Sequence, residues 1–255
     1  MADHSQMKLG RRAILPHKAA GLLRMARYLP ADLPVAPRQL AWSKAVASWP
    51  MFGNDVLGDC TAAGYAHMLE AWTANVTGSP LSLTEFEVES FYAASTGWDG
   101  TPATDQGGDE ISVLNYARSA GLAAQEIKAY VSVDPTNIEH VLLGQYLFGG
   151  LYLGIALPLS AQTQDVWDAV PDWEKDGMAG SWGGHCVPIL DYDRDAQEFV
   201  CVTWGATKRM SFRFFQQYCE EAYALLSPLW IGSDGFNPSH FNMAQLEADL
   251  RVVTG

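Results

Sequence analysis

The chain has 255 residues, of which 48% are hydrophobic, 11% aromatic and 18% charged. These values are typical of a folded protein with a sizeable core and exclude a mainly disordered chain. The formal net charge is −13, so the body repels phosphate backbones, and we expect no nucleic-acid partner. The charge is uneven, because residues 1–44 hold eight basic and two acidic residues, whereas residues 45–255 hold eight basic and 27 acidic. A basic arm therefore precedes an acidic body.

The chain has four cysteines with no CxxC pair, too few for a disulfide scaffold and wrongly spaced for a zinc knuckle. They are Cys60, Cys186, Cys201 and Cys219. A single bridge between Cys186 and Cys201, on adjacent predicted strands, stays open. No secretory apolar region follows Met1, and the longest apolar run, 146–159, is too short to span a bilayer. We therefore expect no metal, cofactor or membrane partner, and a cytoplasmic location or export without a standard signal peptide.

The first half of the chain predicts an extended lead-in followed by helices. A short helix is expected over Ala19–Tyr28, and the proline-rich stretch 29–50 predicts an extended segment. Three further helices have capping or stop signals. They begin at Cys60 and end at Gly78, cover Leu83–Ser95, and cover Glu110–Ala120 with Gly121 as the stop.

After Gly121 the pattern changes to strands, which predicts an α+β fold with an antiparallel sheet. The predicted strands are Ile127–Val133, Leu151–Leu157, His185–Asp191 and Glu198–Trp204. The segment Arg209–Phe214 is compatible with a further strand or with the entry to a helix. The predicted helices are Asn137–Phe148, Phe214–Leu225 and, in the tail, Ala244–Val252.

Cys60 is a candidate nucleophile because it opens a helix directly after a glycine-containing loop. Helix N-termini stabilise a thiolate, which is the reactive form of cysteine. The alternative is a buried core cysteine. A nucleophilic cysteine needs a base, and His67 is about 10 Å farther along the same helix. His185 follows two glycines at the start of an apolar strand and is the better candidate, although a core histidine would also fit. On the returning strand, Thr203 is the strongest hydrogen-bond acceptor near His185.

Several motifs resemble the papain-like cysteine peptidases. The run Asn54-Asp55-Val56-Leu57-Gly58-Asp59-Cys60 resembles the nucleophile segment, with Asn54 in place of the glutamine that helps form the oxyanion hole. Gly107-Gly108 resembles the family's glycine pair at the cleft, Gly184-His185-Cys186-Val187 its histidine strand, and Val202-Thr203-Trp204-Gly205 its Asn-Ser-Trp-Gly stretch. The resemblance covers about residues 29–214.

The resemblance implies a helical lobe (about 54–125), in which the nucleophile helix packs against a sheet lobe (about 126–232). We also expect a basic arm (1–28) that resembles a pro-segment, the papain-like domain itself (29–232), and a C-terminal tail (233–255). Cys60 and His185 would hydrolyse an amide or peptide bond, Asn54 would hold the oxyanion, and Trp204 would shield the histidine. The three glycines Gly107, Gly108 and Gly184 would border the cleft, and Trp182 is a candidate substrate contact or a packing residue.

The sequence departs from this family in two respects. The Cys-Gly-Ser-Cys-Trp signature is absent. The position of the orienting asparagine holds Val202, or Thr203 if the hairpin shifts by one residue. A catalytically decayed binding module of the same fold therefore stays an alternative, as does, at lower rank, a transglutaminase-like or cell-wall peptidase-like enzyme. The sequence leaves the oligomeric state open.

The charge pattern narrows the expected partners of the cleft. The carboxylates nearest to the cleft motifs are Asp59, Asp105 and Asp109. An acidic cleft favours a neutral or basic peptide or protein substrate, or the chain's own basic arm. We therefore expect the arm to dock on the body and to be the first candidate for self-inhibition.

Overall fold

The computed structural model describes residues 3–14, 18, 22–27 and 34–240. In these residues the α-helices are α1 (Cys60–Thr77), α2 (Glu85–Thr96), α3 (Glu110–Ser119), α4 (Ile138–Phe148) and α5 (Phe212–Tyr218). The strands are β1 (Gln39–Ala41), β2 (Ala129–Ser132), β3 (Leu151–Leu157), β4 (Val166–Trp167), β5 (Gly183–Asp193), β6 (Glu198–Thr203), β7 (Ala206–Ser211) and β8 (Cys219–Leu226).

Local side-chain chemistry fixes several helix ends. Thr84 caps α2 in a capping box, in which Thr84 and Glu87 each bond to the other's backbone N–H. Asp109 caps α3 by accepting a backbone N–H from the first turn. Helix α1 ends at Gly78, whose φ of 82° is readily adopted only by glycine. The helices predicted from these signals are therefore confirmed to within one or two residues.

The strands form one sheet in the order β2-β8-β3-β5-β6-β7-β4. Strand β1 pairs with the C-terminal end of β5. Every pairing is antiparallel except that of β4 with β7. Helix α1 is buried from Cys60 to Ala74 and shares its core with Tyr152, Cys186 and Tyr223 of the sheet. An α+β fold with the Cys60 helix packed on an antiparallel sheet is therefore confirmed.

The helix predicted over Phe214–Leu225 is wrong beyond Tyr218. The segment Cys219–Leu226 is instead strand β8, paired with both β2 and β3. Its Glu, Ala and Leu residues favour a helix, but pairing on both sides outweighs that weak preference. The segment Arg209–Phe214, for which the sequence left a strand or a helix entry open, contains both: β7 ends at Ser211 and α5 begins at Phe212.

Two predicted helices fall partly or wholly outside the described residues. Of Ala19–Tyr28 the structure describes a 3-10 turn at Met25–Arg27, and Ala244–Val252 lies outside the described part of the chain. All four cysteines are free thiols, so Cys186 and Cys201 form no bridge. Among the described residues no helix is long and apolar enough to cross a membrane.

Candidate active site

Cys60 is the first residue of α1, at the point where the preceding loop turns into the helix. Its side chain is fully buried, and burial raises the pKa of the Cys60 thiol to about 12. The backbone N–H groups of Cys186 and Gly10 face the sulfur and lower this pKa, whereas the Asp59 carboxylate raises it. The thiol is therefore neutral in this structure, although a helix start favours a thiolate.

His185 lies on β5 directly before Cys186, so its backbone runs past the Cys60 sulfur. Its ring Nε2 is 2.7 Å from Oγ1 of Thr203 on β6. Its Nδ1 is buried and has no hydrogen-bond partner among the described residues. Burial lowers the pKa of His185 to about 3, so the imidazole is neutral. The ring is thus held at one nitrogen and free at the other.

An aromatic turn covers the His185 ring. The two loop residues of the β6–β7 hairpin, Trp204 and Gly205, have φ values of 46° and 70°. A positive φ costs a bulky residue about 1–3 kcal/mol, so the surrounding packing must hold Trp204 in place. The ring of Trp204 stacks on that of His185, with ring centroids 4.5 Å apart. The ring centroids of Trp182 and Trp204 are 5.5 Å apart. The hairpin turn thus excludes water from the imidazole.

Asn54, six positions before Cys60, is buried and donates its Nδ2 to Oδ1 of Asp59 over 3.0 Å. The other oxygen of Asp59, Oδ2, is buried without a partner among the described residues. Burial raises the pKa of Asp59 well above its usual range. The Asn54 amide is therefore partly committed to the residue that precedes Cys60, a contact that the spacing did not predict.

The basic arm crosses the body and pairs with it at Arg11 through an isolated β-bridge. Gly108 donates its N–H to the Gly10 carbonyl over 2.8 Å, and Arg12 donates its N–H to the Gly108 carbonyl over 2.9 Å. Arg11 and Gly108 thereby form a parallel bridge. On its other side, Arg11 donates its N–H to the Gly184 carbonyl over 3.0 Å. The arm therefore runs between the two glycine motifs that the sequence associates with a cleft.

The glycines of these motifs are the positions where the arm backbone comes closest. A Cβ at Gly107 would lie 1.8 Å from the Gly10 oxygen, and one at Gly184 would lie 2.3 Å from the Arg11 oxygen. Neither distance is compatible with a real side chain, so only glycine lets the arm lie this close. The structure thus brings the predicted cleft glycines together along one channel, which the arm fills.

Body carboxylates hold the cationic side chains of the arm. Lys8 pairs with Asp105, Lys18 pairs with Asp109, and Arg11 pairs with Glu110, Glu220 and Glu221. Docking of the arm on the acidic body was expected, but the role of Arg11 and its three glutamates was not. The available signal is the adjacent pair Glu220-Glu221 in an apolar stretch, for which the sequence pattern predicts a helix.

Comparison with known proteins gives fold relatives only. No family model matches the chain, and no curated protein matches it. Xylellain, a cysteine protease from Xylella fastidiosa, is 12% identical with a TM-score of 0.64, and the match covers 87% of this chain and 97% of that one. Digestive procathepsin L 3 of Tenebrio molitor larval midgut is 14% identical with a TM-score of 0.58, covering 88% and 77%.

A third match is the Carica candamarcensis cysteine protease CMS1MS2, solved in complex with E-64. It is 15% identical with a TM-score of 0.53, and the match covers 75% of this chain and 99% of that one. The matches cover most of the chain, but the sequence identities are low. The similarity is therefore one of fold. That shared fold is the papain-like arrangement of a central helix on an antiparallel sheet.

Proposed function

We propose that this chain, whose fold is that of the papain-like cysteine proteases, is a cysteine hydrolase that cuts an amide or peptide bond. The observation that carries the proposal is the ring of His185. Its Nε2 is 2.7 Å from the Thr203 hydroxyl, and its buried Nδ1 has no described partner. It also lies next to the residue whose backbone N–H faces the Cys60 sulfur. An imidazole fixed at one nitrogen and open at the other suits a general base that accepts the proton of a thiol.

In the proposed reaction Cys60 passes its proton to His185 Nδ1, and the thiolate attacks the substrate carbonyl carbon. The carbon–nitrogen bond then breaks as the imidazolium returns that proton to the leaving amine, and a thioester forms on Cys60. Water, deprotonated by His185, attacks the thioester and releases the acid and the free thiol. The Cys60 N–H and the second N–H of the Asn54 amide would stabilise the oxyanion.

Thr203 can replace the orienting asparagine, whose absence from the sequence is the argument for a catalytically decayed module. The resemblance assigns the orienting role to an asparagine, and a Thr203 hydroxyl at 2.7 Å from Nε2 can fix the same ring. With Nε2–H donating to Thr203, the lone pair of Nδ1 is available for the thiol proton. The stacked Trp204 would protect this pair from water.

We propose further that the arm is a pro-segment that keeps the enzyme closed. Its backbone fills the channel beside Cys60, and under the arm both Cys60 and His185 are fully buried. Two matched structures are described as a procathepsin and as a precursor of stem bromelain, and each match covers 88% of this chain. Substrate would therefore enter after the arm leaves the channel.

Hydrolysis of a fluorogenic peptide panel by the full-length Arg11→Ala chain tests the proposal. Adding Cys60→Ser should abolish the activity, and adding His185→Ala should lower kcat at least about 100-fold. Cys201→Ala is the matched control, since Cys201 is an equally buried cysteine with no part in the proposed reaction, and it should retain activity. Hydrolysis that survives Cys60→Ser would contradict the proposal. A reactive Cys60 with no product from any peptide would favour the binding module.

A further inference from the structure

The side chain of Arg11 points from the arm into a buried acidic pocket of the body. Its Nε donates to Oε1 of Glu110 over 3.1 Å. Its two terminal nitrogens, Nη1 and Nη2, donate to Glu220 and Glu221 respectively. The side chain of Arg11 is 2% exposed, and those of Glu110 and Glu221 are 0% and 5% exposed. Each guanidinium nitrogen therefore has its own carboxylate partner.

A β-bulge supplies two of these carboxylates from adjacent positions. Gly154 of β3 pairs with Glu221 of β8, and the next residue, Ile155, pairs with Cys219, so Glu220 has no partner on β3. Neighbouring side chains of a regular strand point to opposite faces, but a bulge redirects them. Glu220 and Glu221 consequently both reach the same guanidinium.

Gly154 provides the space for the pocket. A Cβ at this position would lie 2.4 Å from Oε1 of Glu110 and 2.7 Å from Nε of Arg11. Gly154 lies in the middle of a fully buried strand, where glycine weakens the strand and packs nothing itself. Its presence there is explained by what occupies the space above it, which is the guanidinium.

The body supplies the three carboxylates of the pocket, and the arm supplies the guanidinium that pairs with them. Among the described residues, Arg11 is the cation that forms ion pairs with Glu110, Glu220 and Glu221. Buried carboxylates without a cation are costly, so a body that opens its channel needs a replacement cation or water in this pocket. Main-chain bonds from Gly108 and Gly184 flank the arm on both sides and would hold any extended peptide equally well.

We infer that this acidic pocket selects an arginine side chain of the peptide substrate, and that Arg11 occupies it in place of substrate. The inference rests on the proposed function. Three carboxylates match the planar fork of a guanidinium, whereas a lysine offers a single ammonium and fits this arrangement less well. The substrate class is thus an extended basic peptide with arginine in the Arg11 pocket.

The test uses the full-length Arg11→Ala chain, which empties the pocket. We expect N-acetylarginine amide to raise its melting temperature, and N-acetylcitrulline amide, the uncharged isostere, to leave it unchanged. In matched fluorogenic peptides, arginine should exceed citrulline in kcat/KM by at least about tenfold. Adding Glu220→Gln should reduce that ratio at least about threefold, because Glu220 is half-exposed and its change spares the fold.

The outcomes separate the inference from the proposed function. Peptides cut with no preference for arginine would overturn the pocket and leave the hydrolase standing. An arginine-specific melting shift without cleavage of any peptide would support the pocket and contradict the hydrolase. If the Arg11→Ala chain does not fold, Glu220→Gln alone should speed alkylation of Cys60 at least about threefold. Glu198→Gln, which removes a surface ion pair with Arg209, should not, and equal rates in the two variants would overturn the inference.

Discussion

The arm-filled channel has a neutral end and an ionic end. At the neutral end, burial is the largest influence on Cys60 and the one influence on His185; it raises the thiol pKa to about 12 and lowers the imidazole pKa to about 3. At the ionic end, Glu110 and Glu221 are as deeply buried but have the Arg11 guanidinium as partner. The same loss of water therefore neutralises Cys60 and His185, whereas at the ionic end the Arg11 charge offsets part of its effect on the carboxylates.

This difference assigns the arm two separate effects. Over Cys60 and His185 it excludes water and so prevents a thiolate–imidazolium pair from forming. In the acidic pocket it supplies the only described cation that neutralises the carboxylates. Departure of the arm should therefore let charge develop at the neutral end and leave charge uncompensated at the ionic end.

The largest expected effect follows from removing the cation. Arg11→Ala should release the arm, and the thiol pKa of Cys60 should fall towards or below about 8.5 as water enters. Alkylation of Cys60 by iodoacetamide at neutral pH should then rise at least about 100-fold. Mass spectrometry of the labelled peptides measures this rate.

Two controls accompany that measurement. Arg12→Ala removes an exposed arginine of the same arm and should leave the rate near that of the wild type. Cys201, whose thiol pKa burial raises to about 12, should stay unlabelled in every variant. If Cys60 in Arg11→Ala reacts no faster than in the wild type, the ionic end does not hold the arm.

A smaller effect is expected from the hydroxyl that holds His185. Thr203→Val keeps the side-chain shape but removes the partner of Nε2. In the Arg11→Ala background we expect kcat to fall roughly tenfold with little change in KM, since the ring loses its orientation. Steady-state kinetics separate the two constants, and Thr203→Ser should restore kcat. A Thr203→Val chain as active as its parent would leave the ring oriented by Trp204 stacking alone.

The smallest effect concerns pH. With the arm docked, burial raises the pKa of Glu110 to about 8, and the Arg11 charge offsets this only in part. When the arm leaves and water enters, this pKa falls towards its usual range, so docking takes up a proton at Glu110 and must strengthen as pH falls. His4 opposes this effect, because burial lowers its pKa in the docked arm.

Hydrogen exchange of the arm amides measures this pH effect. Their protection should rise at least about threefold between about pH 8 and about pH 5. Glu110→Gln, which removes the titrating carboxyl, should lose this rise. Protection that stays constant or falls at the lower pH would show that other groups control docking.

The parts of the fold that could be predicted have local signals. Gly78 ends α1, and Thr84 with Glu87 begins α2, within a few residues of the helix that they define. Strand β8 has no such signal, because its residues favour a helix and its partners β2 and β3 lie far away in the sequence. Long-range pairing, not local preference, determines this strand.

The same distinction applies to the candidate site. Cys60 and His185 could be singled out because a helix start and a Gly-Gly pair lie next to them in the sequence. Arg11 could not, because its partners Glu110 and Glu221 lie 99 and 210 positions away. The bulge that brings Glu220 to the same guanidinium exists only once β3 and β8 are paired. The sequence thus indicates the cysteine and the histidine, whereas the acidic Arg11 pocket is visible only in the structure.

The most direct test of the Cys60–His185 pair is the pH profile of Cys60 alkylation in the full-length Arg11→Ala chain. A thiolate stabilised by a neighbouring imidazolium should react well below about pH 7, and adding His185→Ala should move the profile up towards an ordinary thiol near about 8.5. A profile that already follows an ordinary thiol, and that His185→Ala leaves unchanged, would contradict a catalytic pair.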